Sequence, residues 1–375
     1  MSISRRQFCV QVGTGIGASL FVPRLLRSSL AKSPGDSKPY IRSARYYTTL
    51  SDGKVRCLLC PRACLVADGK RGYCRVRENR QGVYNTLIYG RLCAINNDPI
   101  EKKPLFHFLP GTKVLSVATA GCNLKCKFCQ NWNISQVAPE DVPFEYYTPE
   151  KLVSLAKRIN SPSIAFTYTE PTIATEYIVD TAKIAKANGI HTVMISNGYI
   201  NPEPLRDLCG VLSAYKVDFK AFSDAFYRDI TDSTLQPVLD TLIQIKQSSL
   251  WLEIVNLVIP TQNDSPAEFR RMCEWIMQNL GPDVPVHFTR FHPLYLMENL
   301  PPTPVKTLET AYNIARECGL RFVYVGNVPG HATESTYCPN CGRKVIERIG
   351  YQLRAVALKN GKCRYCQTDI PGFWS

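Results

Sequence analysis

An α/β chain wound around a parallel sheet is predicted by three observations. From Gly111 onward, short β-rich runs alternate with amphipathic helical stretches. The polar, chemistry-bearing motifs fall just after those runs, and the flanking segments are rich in Cys but lack periodicity. The spacing predicts strands at Lys113–Thr119, Ser163–Tyr168, His191–Ser196, Lys216–Phe219, Trp251–Ile259, Val286–Phe291 and Arg321–Val325. Between them, helices are predicted at Pro149–Ile159, Ile173–Asn188, Glu203–Leu212, Leu235–Gln247, Pro266–Asn279 and Val305–Cys318. Repeated βα units imply right-handed crossovers and a parallel sheet, open or closed into a barrel. Such sheets carry their chemistry at the carboxyl ends of the strands.

Five segments follow from this reading. Residues 1–31 read as a signal peptide, 32–54 as a Ser-, Pro- and Lys-rich linker, and 55–110 as an amino-terminal Cys-rich lobe. Residues 111–330 form the α/β core, and 331–375 a second Cys-rich lobe resembling a zinc ribbon. The leader runs Ser4-Arg5-Arg6-Gln7-Phe8, then an apolar Gly-rich stretch to Val22, then Ser29-Leu30-Ala31. This is a twin-arginine pattern, which implies export to the periplasm or the outer face of the cytoplasmic membrane. An N-terminal helix with two chance arginines, in a cytoplasmic protein, is the alternative. The apolar stretch is too short and Gly-rich for a spanning helix, and no later run is long enough.

The 375 residues are 45% hydrophobic and 20% charged, as in a soluble globular protein rather than a disordered or membrane-spanning one. The formal charge of +14 invites an acidic partner. Arg5, Arg6, Arg24 and Arg27 belong to the leader, however, and thiolate metal sites add negative charge that the formal sum omits. Both points argue against a nucleic-acid partner.

Sixteen cysteines are present, and eleven fall in three clusters. These are Cys57, Cys60, Cys64 and Cys74; Cys122, Cys126 and Cys129; and Cys338, Cys341, Cys363 and Cys366. Cysteines two residues apart converge on a metal more readily than on distant disulfide partners, so metal ligation is preferred over disulfides. Cys122-Asn-Leu-Lys-Cys126-Lys-Phe-Cys129 has the spacing C-x₃-C-x₂-C. Three thiolates on one loop can hold three irons of a [4Fe–4S] cubane and leave the fourth iron open. An electron-transfer cluster or a three-Cys zinc site are the alternatives.

The motif, with Phe128 before its third Cys, resembles that of the radical S-adenosylmethionine (SAM) superfamily, in its pyruvate formate-lyase-activating enzyme-like branch. The resemblance implies a partial (β/α) TIM-like barrel, a [4Fe–4S] cluster and SAM, whose one-electron cleavage gives a 5′-deoxyadenosyl radical. Thr169-Glu170-Pro171 stands where the superfamily carries Gly-Gly-Glu-Pro, with Tyr168 and Thr169 replacing the glycines. Ser196-Asn197-Gly198, Asp218-Phe219-Lys220 and Arg290-Phe291-His292 each follow a predicted strand. By resemblance, Glu170, Asn197, Asp218, Lys220 and His292 surround SAM, while the Arg often found near Asn256–Pro260 is missing. Read without the resemblance, Asp218 and Lys220 are also compatible with a surface ion pair, Asn197-Gly198 with a turn, Glu170-Pro171 with a helix start and His292 with a packed or solvated histidine.

Residues 55–375 further resemble the radical SAM component of the AmmeMemoRadiSam system. The shared features are Cys57-x₂-Cys60-x₃-Cys64, Asp98-Pro-Ile-Glu-Lys-Lys-Pro-Leu105, Ile134-Ser-Gln136, Tyr168-Thr-Glu-Pro-Thr172 and the terminal Cys pairs. The two carboxyl-terminal CxxC knuckles suit tetrahedral zinc or a rubredoxin-type iron. The amino-terminal four suit zinc or an auxiliary cluster.

The expected function is hydrogen abstraction from a protein or small-molecule substrate, activation of a glycyl radical enzyme being one form of it. It needs an electron donor, flavodoxin- or ferredoxin-like or of another kind. An iron–sulfur electron-transfer protein and a zinc-ribbon nucleic-acid binder are the readings from other classes.

Overall fold

The computed structural model describes residues 38–374. The leader and the start of the linker lie outside the described residues. Nine strands form the main sheet: β1 Arg91–Pro99, β2 Lys113–Thr119, β3 Glu145–Tyr146, β4 Ser163–Phe166, β5 His191–Ser196, β6 Ala214–Asp218, β7 Trp251–Val258, β8 Val286–Arg290 and β9 Val323–Gly326. Their order is β9-β8-β7-β6-β5-β4-β2-β1-β3. Strands β2 and β4 to β9 are parallel, and β1 pairs antiparallel with both β2 and β3. The ladder is open, its edge strands β9 and β3 having one sheet partner each among the described residues. This is an α/β fold with a largely parallel central sheet, and closure into a barrel is not part of its strand pairing.

The helices are α1 Trp132–Ser135, α2 Pro149–Arg158, α3 Thr175–Ala187, α4 Pro202–Cys209, α5 Asp224–Thr231, α6 Gln236–Lys246, α7 Pro266–Leu280 and α8 Val305–Glu317. None is long and apolar enough to cross a membrane. Starts are written locally. Thr148 Oγ1 accepts from Lys151 N (3.2 Å) ahead of Pro149, and Ser265 Oγ from Glu268 N (3.2 Å) ahead of Pro266. A capping hydroxyl followed by Pro at the first helical position satisfies an otherwise orphaned N–H and presets φ. Helix α5 has no counterpart in the predicted elements; Ser223 caps it, accepting from Phe226 N (3.3 Å).

After β2 the parallel strands add in one direction without a switch in order, which puts their crossover helices on one face. Leu115 and Val117 of β2 pack in that layer with Leu152, Ala156, Tyr177 and Ile178. The alternate residue Val114 faces the other way, packing with Ala165, Val193 and Ala214 against Ile100, Leu105 and Phe108. The segment after β1 therefore plugs the helix-free face.

Glu253 of β7 anchors that plug. Its carboxylate accepts from Phe106 N (3.0 Å), His107 N (2.8 Å), Trp251 Nε1 (2.9 Å) and His287 Nε2 (2.8 Å). Burial pushes Glu253 up, but the His287 hydrogen bond and the other donors hold its pKa below the ordinary value. The carboxyl-terminal lobe docks at the same end. Buried Arg348 donates to Phe106 O (2.6 Å) and Thr336 Oγ1 (2.8 Å), and Phe373 stacks on Phe108 with centroids 4.9 Å apart. The Pro371-Gly-Phe-Trp374 ending is thus part of the plug.

Within the expected linker, residues 42–43 and 47–49 are strands paired with 83–86 and 55–57 of the amino-terminal lobe. Aromatic and β-branched residues such as Tyr47, Thr48 and Thr49 favour pleated pairing over a free tether. Within the expected lobe, Arg91–Pro99 instead joins the main sheet.

His107 is buried, with Nδ1 2.6 Å from Pro371 O and Nε2 2.5 Å from Tyr324 Oη. Burial lowers its pKa to about 4. The unfolded chain takes up a proton below about pH 6.5 that the fold excludes, so stability present above that pH is lost progressively toward pH 4. Unfolding free energies from urea denaturation at pH 7 and pH 5 are expected to differ by about 2 kcal/mol more in the wild type than in His107→Asn. Equal differences in the two proteins would show that His107 is not the titrating group.

Candidate functional site

The carboxyl-end rim of the sheet is built around the loop that follows β2. Gly121 at its start has φ +93° and no room for a side chain, since a Cβ would lie 2.7 Å from Cys74 O and 2.7 Å from Val76 Cγ1. Only glycine combines that conformation with so close an approach. The loop then carries Cys122 and Cys129, both half-buried, and buried Cys126. It is tied to the neighbouring loops at several points. Lys125 N and Lys127 N donate to Thr231 O and Ile230 O (both 3.0 Å), Leu296 N donates to Lys127 O (3.0 Å), and Asn131 Nδ2 donates to Tyr168 O (2.8 Å).

Glu170 lies at the centre of this stitching. Its buried carboxylate accepts from Thr172 N (2.9 Å), Ser196 Oγ (2.7 Å) and Asn197 N (2.8 Å). Burial raises its pKa while those donors oppose the rise. Asn197 Nδ2 continues to Asn123 Oδ1 in the cysteine loop (2.9 Å), and Asn123 Nδ2 donates to Tyr199 O (2.8 Å). Glu170 and Asn197 are therefore brought together, and Glu170 lies within electrostatic reach of Cys122.

Asp218 and Lys220 form a second group. Asp218 bonds Lys216 Nζ on the same strand and lies 3.7 Å from Lys220 Nζ. The Lys216 and Lys220 side chains are only 5% and 13% exposed and Asp218 is 34% exposed, so two buried ammonium groups stand behind a carboxylate that reaches the surface. Burial alone would raise Asp218, but the two ammonium groups outweigh it and hold the carboxyl low. Lys220 is held above its ordinary value, against its own burial, by Asp218 and Cys126. Burial pushes the Cys126 thiol up to about 12, with Lys220 opposing. Sequence reasoning missed Lys216, although the alternation Lys216, Asp218, Lys220 was its signal. His292 is exposed, on the loop after β8 whose Tyr295 stacks on Trp132 (centroids 5.2 Å) beside the cysteine loop.

The residues present fit a cluster. Three thiols stand on one anchored loop, with Lys220 compensating the negative charge that thiolate ligands bring. Every described cysteine is a free thiol. The carboxyl-terminal thiols Cys338, Cys341, Cys363 and Cys366 all lie within 4.8 Å of one another, a group able to hold a metal ion. Thr368 holds the Cys366 thiol low, at about 5. Cys57, Cys60, Cys64 and Cys74 lie within electrostatic reach of one another, with burial raising Cys60 to about 12 and Cys74 to about 11.

The amino-terminal lobe sits directly on the cysteine loop. Arg62 Nε donates to Asn123 O (2.5 Å), and the Arg62 guanidinium lies 3.4 Å from the Tyr73 ring centroid. A cavity of about 340 Å³ opens there, lined by Arg62, Cys64, Tyr73, Tyr199, Asp232 and Thr234 among others. A larger one of about 770 Å³, lined by Glu101, Lys113 and Leu353, lies at the opposite end of the sheet, away from the thiols of the rim.

The Radical SAM superfamily model matches residues 116–276, which span the rim motifs from the cysteine loop to α7. The chain is 46% identical over 332 residues to the uncharacterized protein MJ0808 of Methanocaldococcus jannaschii, covering 88% of this chain and 99% of that protein. It is 24% identical over 194 residues to the pyruvate formate-lyase-activating enzyme of Clostridium pasteurianum, covering 49% and 77%. Among solved structures, a radical SAM methyltransferase from Sphaerobacter thermophilus aligns with a TM-score of 0.46 and 14% identity, over 60% of this chain and 71% of that one.

Replacing Glu170 by Gln would set an amide N–H₂ against N–H and O–H donors that now share a carboxylate. We expect Glu170→Gln to lose about 1–3 kcal/mol of stability and to retain less iron after anaerobic reconstitution. An unchanged urea midpoint with full iron content would remove Glu170 from this role.

Proposed function

Since the chain belongs to the radical SAM superfamily, we propose that Cys122, Cys126 and Cys129 hold its [4Fe–4S] cluster and that Glu170, Asn197, Asp218, Lys220 and His292 frame SAM. When bound, such a cluster supplies the electron that cleaves SAM to methionine and a 5′-deoxyadenosyl radical, which takes hydrogen from a substrate. The observation that carries the reading is the convergence of the three-thiol loop with the ends of β4 and β5 on one rim, tied together through Glu170, Asn197 and Asn123, with Lys220 after β6 within electrostatic reach of Cys126.

The chain's own residues supply binding and charge. Asp218 is held ionised by Lys216 and Lys220, so a carboxylate and an ammonium stand ready for the two ends of an amino acid. Glu170 keeps its lone pairs on its own strand ends, which favours a positioning role for it over direct contact. An electron-transfer protein has no use for a strand-end Asp–Lys set beside its cluster. The resemblance to the AmmeMemoRadiSam system and to activating enzymes supports hydrogen abstraction without naming the substrate, and an electron donor is required.

The carboxyl-terminal four-thiol group supports a closed structural zinc site, since four cysteines leave no position for substrate. The amino-terminal four cysteines support a further metal centre beside the cysteine loop.

Reconstituted and reduced anaerobically with SAM, the wild type is expected to form 5′-deoxyadenosine, and Cys126→Ala to form none above background. A reducible cluster that leaves SAM intact would overturn the reading. Cys363→Ser is expected to lose one equivalent of zinc by elemental analysis while its iron content stays at the wild-type level. Unchanged zinc in that variant would remove the ribbon assignment.

A further inference from the structure

The two outer cysteine groups differ in how far apart their thiols stand. In the carboxyl-terminal lobe Cys338 Sγ lies 3.5 Å from Cys366 Sγ, and Cys341 Sγ lies 3.7 Å from Cys363 Sγ. Four thiolates at about 2.3 Å from one tetrahedral zinc stand about 3.8 Å apart, so that lobe is set for a single ion. Among the described residues it is the one group of three or more such ligands gathered within 4.8 Å. Cys57, Cys60, Cys64 and Cys74 are spread wider, and so are Cys122, Cys126 and Cys129. In an iron–sulfur cubane each thiolate takes its own corner iron, which demands ligands farther apart than those around one ion.

Short contacts hold the amino-terminal four around one point. Cys57 N donates to Cys64 O (2.9 Å), and Ala63 N to Cys60 O (3.1 Å), closing the turn between these cysteines. Tyr73 N, next to Cys74, donates to Cys64 Sγ (3.4 Å). Cys57 and Cys64 pack with Tyr84 in one apolar cluster. Gly72 keeps the space beside them open, since a Cβ there would lie 2.7 Å from Tyr84 Oη and 3.8 Å from Cys64 Sγ. The group also lies between solvent and the rim. Cys64 lines the cavity of about 340 Å³ with Arg62 and Tyr73. On the other side, Cys74 O is the atom that leaves no room for a side chain at Gly121, the neighbour of Cys122. Arg62, between Cys60 and Cys64, donates to Asn123 O (2.5 Å) on the far side of Cys122.

We propose that Cys57, Cys60, Cys64 and Cys74 hold a second [4Fe–4S] cluster, and that it passes electrons from a donor at the Cys64 cavity to the three-thiol loop. This gives the further metal centre beside that loop an identity and a task. That the electrons end in SAM cleavage rests on the radical SAM reading, whereas the second cluster does not. Four cysteines occupy all four irons, so this cluster has no open position for SAM. One electron leaves an external iron–sulfur or flavin donor, rests on the second cluster and moves to the cluster of the three-thiol loop. The donor is oxidised by one electron, the rim cluster is reduced by one, and the relay returns to its starting state. No bond changes and no proton moves.

The test begins with elemental analysis of the anaerobically reconstituted full chain, which is expected to hold about eight irons and about one zinc. About four irons with about two zincs would overturn the second cluster with no variant needed. A variant carrying Cys122→Ala, Cys126→Ala and Cys129→Ala together is expected to keep about four irons, with a reduced EPR signal that SAM leaves unchanged. Loss of all its iron would count against the proposal. Cys60→Ser with Cys64→Ser is expected to lose about four irons and keep its zinc. In that variant, stopped-flow reduction of the rim cluster by a reduced [2Fe–2S] ferredoxin should slow about tenfold more than reduction by dithionite. Equal slowing with the two reductants overturns the relay. An iron-loaded triple variant beside a wild type that leaves SAM intact would keep this centre and remove the radical SAM reading. Cleavage of SAM by a wild type holding only about four irons would do the reverse.

Discussion

A single buried carboxylate holds the working end of this molecule together. Glu170 receives donors from its own turn, from the end of β5 and from Asn197, which in turn grips the cysteine loop through Asn123. A charge buried this deeply is tolerated only when its lone pairs are met by donors, so the turn after β4, the end of β5 and the loop after β2 cannot move independently. Three thiols on a short loop need that constraint. A loop free to drift would separate them as readily as gather them.

The opposite end of the sheet solves a different problem with similar means. A helix-free face leaves apolar strand residues uncovered, and the plug that covers them brings backbone N–H groups into a dry interior. Glu253 meets two of these groups, and its charge is also met by the Trp251 and His287 ring nitrogens. Arg348 then clamps the carboxyl-terminal lobe to the same plug through Phe106 O. That lobe, with its own four-thiol group, therefore serves the bottom of the sheet, while the amino-terminal four cysteines abut the rim through Gly121, Arg62 and Tyr73. Two Cys-rich lobes of similar composition thus sit differently: one closes the bottom of the sheet, the other abuts the three-thiol loop.

Between the two ends lies the layer that neither carboxylate controls. Apolar side chains such as Val114, Ala165 and Val193 share this face with buried charges, Glu253 at the plug and Lys103 and Lys216 beside Asp98 and Asp218. Buried ion pairs rarely stabilise a fold more than apolar residues of equal volume, so these pairs are held by their partners at some cost to stability.

The amino-acid sequence by itself determined the alternating β and α elements of the core, because local periodicity and capping residues such as Thr148 and Ser265 act within a few positions. It also determined the three-thiol loop, whose ligand spacing is a local property, and the strand-end motifs that follow. The short helix Asp224–Thr231 escaped notice, although its buried Phe226, Tyr227 and Ile230 recur at helical spacing. Only the tertiary structure decided that Arg91–Pro99 joins the main sheet antiparallel, that Tyr47–Thr49 belongs to the amino-terminal lobe, and that Glu170 faces its neighbours' backbone. The buried pairing of Lys216 with Asp218 and the shared aspartate beneath Tyr168 were decided there too. Some of these depend on partners far apart in the chain, as Glu170 with Asn197 and Asp98 with Tyr168, and others join near neighbours, as Lys216 with Asp218, but the energy of a buried charge is in each case set by all that surrounds it in space.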